Sequence, residues 1–447
     1  MRIPLLATGF LAVVVGTARA QAPIRYDKYA LDNGLTVFLV EDHDTPIVTI
    51  NVWYNVGSRN ERMGRSGFAH LFEHMMFQGS ANVPKGGHLQ LIERAGGNMN
   101  GSTNEGRTNY FETLPANRLN LGLWLEADRM RSLAITDGNF ENQRETVKEE
   151  RRLRVDNQPY GRAFTDGFTI QFDSSTCFPY AHTVIGSMDD LDAAQTADVQ
   201  AFFDLYYAPN NATLTLVGDF DPANAKALIQ QYFGDIPRGA EPPPIECTFE
   251  YGTAGGARQV WEDQLANLPA VMMTFMTPPH READTPALTL LATILGGGES
   301  SRLNRSLVRD QKLALGAGTF NMSRRGASQF LAFAIANQGV TVETIEASLR
   351  AELDRIIADG VTPEELEKAR NDFRASDIFG RQTTMAIAEE IQHFVHFHDS
   401  VDEINTDLQR YMAVTADDLH RVARTYFAPE NSLFLIVVPK KQEAVQP

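Results

Sequence analysis

Cysteine is nearly missing from this chain: its 447 residues include two, Cys177 and Cys247. Neither stands in a metal-ligand spacing, so a cysteine-ligated zinc centre is excluded. Positive charge is short as well. With 40 Lys and Arg against 57 Asp and Glu, the formal net charge is −17. Nonspecific nucleic-acid binding needs a basic surface, so that class of partner is set aside. Beyond residue 20 no apolar run reaches the length of a membrane span, about 18 residues. Gly296-Gly297-Gly298 lacks the Lys-Ser/Thr ending of a phosphate-binding loop, which leaves a tight turn or a substrate-gating loop.

What is present starts with a leader. Met1-Arg2 is cationic, Ile3 to Gly16 is mostly apolar, and Ala18-Arg19-Ala20 has the small-residue form of a cleavage site. Residues 1–20 are therefore expected to be a secretory signal peptide cut before Gln21. No cysteine stands directly after the cut, which argues against a lipid anchor and for a periplasmic or secreted product. In an oxidising compartment Cys177 and Cys247 are candidates to pair. The remaining length is too great for one ordinary core, so two domains are expected.

His70-Leu71-Phe72-Glu73-His74 is the most informative stretch. Residues four apart share a helical face, with Cβ atoms about 5–6 Å apart, so the two imidazoles can converge on one Zn²⁺. Glu73 lies beside them, within reach of a metal-held water. This is the inverted zinc-peptidase order. The plainer alternative is a solvated helix face. Against it, Phe68, Leu71, Phe72, Met75 and Met76 supply an apolar surface that would bury the helix, and buried polar groups need partners.

Zinc peptidases commonly use a third protein ligand. A helix over 138–156 carries Glu141, Glu145, Glu149 and Glu150. Phe140, Gln143, Val147 and Glu150 form one inward row, whereas Glu145 and Glu149 share a charged face with Arg152. Glu150 is the preferred ligand and Glu149 the rival.

The chain repeats itself. Thr-Ala-Asp, a helix, an aromatic pair, Ala-Pro and Asn recur at 196–211 and 415–431, each followed by an apolar strand. Thr196 and Thr415 are expected N-caps, and two halves of one fold follow. Asp32-Asn33-Gly34 marks a hairpin, and a long strand follows at Ile47 to Val56. Helices are expected at 66–78, 85–95, 116–131 and 138–156 in the first half. In the second half a strand is expected at 270–276 and helices at 283–296, 300–312, 341–358 and 362–375. The fold class is α+β, with two homologous α/β sandwiches, each a mostly antiparallel sheet covered by helices. The expected division is 21–235 for a zinc-binding domain, 236–256 for a Pro-rich linker, and 257–447 for a homologous domain without the motif.

These features, with Gly96-Gly97-Asn98-Met99-Asn100-Gly101-Ser102-Thr103, Arg107-Thr108-Asn109-Tyr110, Asn157-Gln158-Pro159-Tyr160-Gly161 and Gly296-Gly297-Gly298-Glu299-Ser300-Ser301-Arg302-Leu303, resemble the pitrilysin / insulin-degrading enzyme / mitochondrial processing peptidase family over nearly the whole mature chain. The resemblance implies zinc held by His70, His74 and Glu150, with Glu73 as general base. It also implies a clamshell of which this chain forms half, and an extended peptide paired with an edge strand at Asn100, Gly101, Ser102 and Thr103. Arg309 is the implied substrate-backbone ligand from the second half.

Two positions depart from the family pattern. Gln143 stands where a second acid is common, and Leu315 stands where a Tyr accompanies the Arg. Leucine has no hydroxyl to offer a substrate carbonyl. A partner chain carrying an intact Arg/Tyr pair is therefore expected, with a homodimer as the alternative. The competing class is a noncatalytic structural or interaction subunit, against which the intact His70, Glu73, His74 and Glu150 speak. His88 and His182 are expected to be ordinary loop or surface histidines.

Overall fold

The computed structural model describes residues 23–249 and 256–440; the leader expected at 1–20 lies outside the described residues. The first half of the chain supplies β1 (Asp27–Ala30), β2 (Thr36–Glu41), β3 (Ile47–Tyr54), β4 (Asn98–Thr103), β5 (Thr108–Pro115) and β6 (Ala212–Gly218). They form one sheet in the order β1-β2-β6-β3-β5-β4. The second half supplies β7 (Ala257–Asp263), β8 (Ala270–Thr277), β9 (Ala314–Met322), β10 (Ser328–Ala336) and β11 (Ser432–Pro439), in the order β7-β11-β8-β10-β9. Without β1 the two orders are the same. In each sheet the late strand runs parallel to the first strand of the shared series and antiparallel to the next. The sheets are thus mixed but mostly antiparallel, as the α+β expectation has it.

The helices are α1 (Phe68–Met75), α2 (Gly87–Arg94), α3 (Leu119–Ser132), α4 (Asp137–Arg151), α5 (Gly161–Thr165), α6 (Met188–Ala193), α7 (Thr196–Tyr206) and α8 (Pro222–Phe233) in the first half. In the second half they are α9 (Thr285–Gly296), α10 (Val342–Asp359), α11 (Pro363–Phe379), α12 (Thr384–His398), α13 (Leu408–Ala413) and α14 (Ala416–Tyr426). The segment read as a helix over 300–312 winds more widely, as a π-helical stretch at Asn304–Asp310.

The sequence repeat becomes a structural repeat at α7 and α14. After each helix a Pro turn leads into a central strand, and an Asn amide holds the helix end: Asn211 Nδ2 donates to Tyr206 O at 2.8 Å, Asn431 Nδ2 to Tyr426 O at 2.7 Å. The helix starts differ. Thr415 caps α14, accepting from the Asp418 N–H, whereas Gln195 occupies the cap of α7 and Thr196 is its first helical residue. The Thr196 hydroxyl donates instead to Asp137 Oδ1 at 2.6 Å, so the expected Thr196 cap is corrected.

The two halves interlock. One face of the first sheet packs on helices of its own half, through Ile50, Leu71, Phe72, Val147 and Leu214. Its other face, with Phe38, Val40 and Val217, is covered by Ala388, Ile391 and Phe394 of α12 from the second half. Polar side chains add to that seam: Gln392 Nε2 donates to Thr213 O at 2.9 Å, and Asn51 Nδ2 donates to Glu389 Oε1 at 2.7 Å. In return, Ala163 and Phe164 of α5 and Phe168 just after it pack on Met272, Leu331 and Leu435 of the second sheet. Each sandwich is completed by a segment from the other half. Cys177 and Cys247 are disulfide-bonded, their Cα atoms 4.0 Å apart.

Candidate active site

Helix α1 has two unlike faces. Phe68, Ala69, Leu71, Phe72 and Met75 are buried, while His70, Glu73 and His74 are half-buried. Phe72 anchors the apolar face against Phe203 and Tyr207, with ring centroids 5.8 and 4.3 Å away. At its start, Gly67 has φ 88°, a conformation that favours glycine, and it lies so close to Gly186 that a Cβ on either residue would strike the other's backbone. The first amides of the helix are orphans by geometry. The carboxylate of Glu61 takes two of them, accepting from Gly67 N–H at 2.8 Å and Ala69 N–H at 2.7 Å. A negative charge there is also favoured by the helix dipole.

His182 Nε2 stands 3.0 Å from Glu61 and 2.9 Å from Ser58 O. It sits in a loop, as expected, but from there it supports the start of α1. The expected loop or surface place of His88 is corrected. It is fully buried in α2, and burial, reinforced by Arg129, pushes its imidazole down to about 3.

Helix α4 presents the third group. Phe140, Gln143 and Val147 are buried along one row, and Glu150 continues it. Lys148 Nζ to Asp192 at 2.6 Å and Arg151 Nη1 to Gly186 O at 2.6 Å fix the end of the helix. Glu150 Oε2 lies 3.3 Å from His74 Nε2 and 3.7 Å from His70 Nε2. Its other oxygen is held by Arg154 at 2.9 Å. Glu149 pairs instead with Arg152 at 3.0 Å, with its side chain 57% exposed. Gln143 Nε2 donates to its neighbour Asn142 Oδ1 at 2.9 Å.

The electrostatics follow this packing. Burial and the adjacent His74 hold His70 below the usual imidazole range, hence neutral. The hydrogen bond with His74 comes first in holding Glu150 below the usual carboxylate range. Burial raises Glu73, against a 2.6 Å hydrogen bond in which the Thr103 hydroxyl donates to Glu73 Oε2. A proton acceptor with raised basicity thus sits on the same helix face as the neutral imidazole of His70.

Thr103 ends β4, an outer strand of the first sheet. Asn100, Gly101, Ser102 and Thr103 line one cleft of about 770 Å³ together with His70, Glu73, His74 and Glu150. A Cβ on Gly101 would stand 3.3 Å from Glu73 Cγ and 3.2 Å from Asn109 O, so glycine lets the strand approach the helix. Across the cleft, Arg324 from the second half pairs with Glu105 at 2.8 Å.

Arg309 is not brought here. It is exposed in the π-helical stretch ahead of β9, an outer strand of the second sheet, and Leu315 is 64% exposed. Neither lines the cleft of the single chain. Glu61, His182 and the Thr103–Glu73 bond went unread in the sequence. Glu61 reaches amides six and eight residues away across a loop, and no periodic pattern marks that.

Two family models match the chain: insulinase (peptidase family M16) over residues 36–164, and the peptidase M16 inactive domain over residues 193–373. The chain is 31% identical over 438 residues to the zinc protease PqqE of Helicobacter pylori, covering 97% of this chain and 98% of that protein. The crystal structure of a protease from Helicobacter pylori superposes with a TM-score of 0.87 at 30% identity, covering 93% of this chain and 100% of that one. The periplasmic protease PqqL from Escherichia coli shares the fold with a TM-score of 0.75 at 18% identity, matching 94% of this chain but 48% of that longer one.

Proposed function

Because this chain belongs to the insulinase family of peptidases, peptidase family M16, we propose that it is a zinc-dependent endopeptidase acting on extended or unfolded peptides. The observation that carries this reading is the convergence of His70, His74 and Glu150 beside Glu73 in a cleft walled by an outer strand. The donor set fits zinc. Ligands about 2.0–2.1 Å from a tetrahedral ion stand roughly 3.3 Å from one another, and the two imidazoles lie 3.3 and 3.7 Å from the Glu150 oxygen.

His70, His74 and Glu150 would hold the ion, and Arg154 keeps the second Glu150 oxygen occupied. Bound zinc supplies a Lewis acid that polarises a peptide carbonyl and acidifies water. Glu73 accepts the proton of the attacking water at its carboxylate and delivers it to the leaving amine nitrogen. The Thr103 hydroxyl holds one Glu73 oxygen and so orients the other. The free side of β4 pairs with the peptide backbone, which gives register with little dependence on side chains.

The exposed Arg309 and Leu315 support a second chain as part of the working enzyme, one that contributes an Arg/Tyr pair or, failing that, a second copy of this chain. The fold match to about half of a longer protease supports the same arrangement. The sequence division at 21–235, 236–256 and 257–447 goes with it, the zinc chemistry belonging to the first part. The leader pattern and the disulfide support export to the periplasm or beyond. Among the described residues no helix is long and apolar enough to cross a membrane.

The test is peptide hydrolysis by the purified chain, alone and with proteins that co-purify with it. Activity that a chelator removes, zinc restores and Glu73→Gln abolishes is the expected result. Undiminished hydrolysis by Glu73→Gln would remove Glu73 from the reaction.

A further inference from the structure

A second cluster of possible ligands lies apart from the cleft and shares no residue with it. His280 follows β8, and His393 and His398 occupy the last turns of α12. One ring nitrogen from each lies within 4.8 Å of the others. The ring centroids of His393 and His398 stand 5.1 and 5.4 Å from that of His280. His280 and His398 are buried and His393 is half-buried.

In two of the three histidines one ring nitrogen is already engaged. His280 Nδ1 is bonded to Ser323 Oγ at 2.8 Å, and His398 Nδ1 lies 3.2 Å from Glu403 Oε2. Metal-ligating histidines are typically oriented in this way, one nitrogen on a hydroxyl or carboxylate and the other on the ion. His398 Nε2 is the nitrogen left over, and it is buried without a hydrogen-bond partner. A buried polar atom in that state calls for an explanation, and a bound ion is one. Arg410, the nearby cation, is paired with Asp407 at 2.9 Å.

We propose that His280, His393 and His398 form a second, structural metal site for a late first-row divalent cation, zinc foremost. Three imidazoles suit that class, whereas calcium and magnesium require oxygen ligands. The site joins the β8–α9 connection of the second sheet to the helix that covers the first sheet. An ion there therefore ties the lent helix back to its own half, and its effect is on stability of the interlock rather than on the peptide bond.

The test removes the cleft site first. Full-length His70→Ala/His74→Ala protein, stripped with a chelator, is titrated with Zn²⁺ by calorimetry and melted with and without zinc. One zinc per chain is expected, with a higher Tm on binding; Mg²⁺ and Ca²⁺ produce neither. Adding His393→Ala is expected to abolish both the binding and the Tm shift, and His393→Phe repeats the test with the ring volume kept. In the otherwise wild-type chain His393→Ala still binds zinc at the cleft, which shows that the fold survives. No zinc bound by the His70→Ala/His74→Ala protein, or an undiminished equivalent after His393→Ala and His393→Phe, overturns the proposal and leaves three histidines packed against Phe394 and Phe397 as core.

Discussion

Replacing Thr103 by Val keeps the side-chain shape but removes the hydroxyl that donates to Glu73 at 2.6 Å. That bond stabilises the ionised carboxylate, so it lowers a pKa that burial raises. Hydrogen bonds to charged groups contribute about 1.5–3 kcal/mol, and about 1.4 kcal/mol of difference between protonation states moves a pKa by one unit. The protonated acid retains part of the contact, so the net displacement is roughly one unit upward. Glu73 must be ionised to accept a proton, and activity is therefore lost as pH falls through its pKa. The acid limb of kcat/KM against pH should move to higher pH by roughly one unit, while the plateau above it changes little. The assay is hydrolysis of a fluorogenic peptide across the acid range, in the assembly that is active. An acid limb that stays in place while the whole profile drops would mean that Thr103 only positions substrate, and that Glu73 does not set the limb.

The other expectations are more direct. Glu73→Gln should retain zinc and lose about 10²–10⁴-fold in kcat, read by metal analysis alongside turnover; loss of zinc would make Glu73 a ligand instead. Glu150→Gln should release the cleft zinc at concentrations where Glu149→Gln retains it, since Glu149 faces Arg152; equal behaviour in equilibrium dialysis would undo the ligand choice. Ile391→Ala should destabilise the chain by about 2–5 kcal/mol in urea unfolding, because Ile391 is fully buried between α12 and the first sheet; a change near zero would contradict the interlock. Asn211→Ala and Asn431→Ala should each cost about 1–3 kcal/mol, and a large difference between them would contradict their equivalence.

How far the molecule is legible in its sequence depends on distance along the chain. Asp32-Asn33-Gly34 turns the β1–β2 hairpin because Gly34 adopts φ 95°, and such turn chemistry is local. The row Phe140, Gln143, Val147, Glu150 favoured Glu150 over Glu149 because a helix of known period fixes which residues share a face. The repeat at 196–211 and 415–431 carried the fold of both halves, down to paired Asn amides. The pattern on α12 shows a buried face but not whose sheet it meets, so the exchange of segments was unreadable. Glu61 is illegible for a related reason: its amide partners are set by a loop. His393 and His398 are five apart, off the four-residue spacing that flags a shared face, and His280 lies over a hundred residues earlier. Arg309 is the opposite case: family position names it, and in the single chain it lies exposed, away from the cleft.

The most direct measurement is anomalous X-ray scattering at the zinc absorption edge from crystals of the full mature protein grown with zinc. A peak bounded by His70, His74 and Glu150, with Glu73 beside it, is the expected result. Density for those side chains with no peak among them, in crystals that bind zinc elsewhere, would contradict a zinc-dependent peptidase at this site.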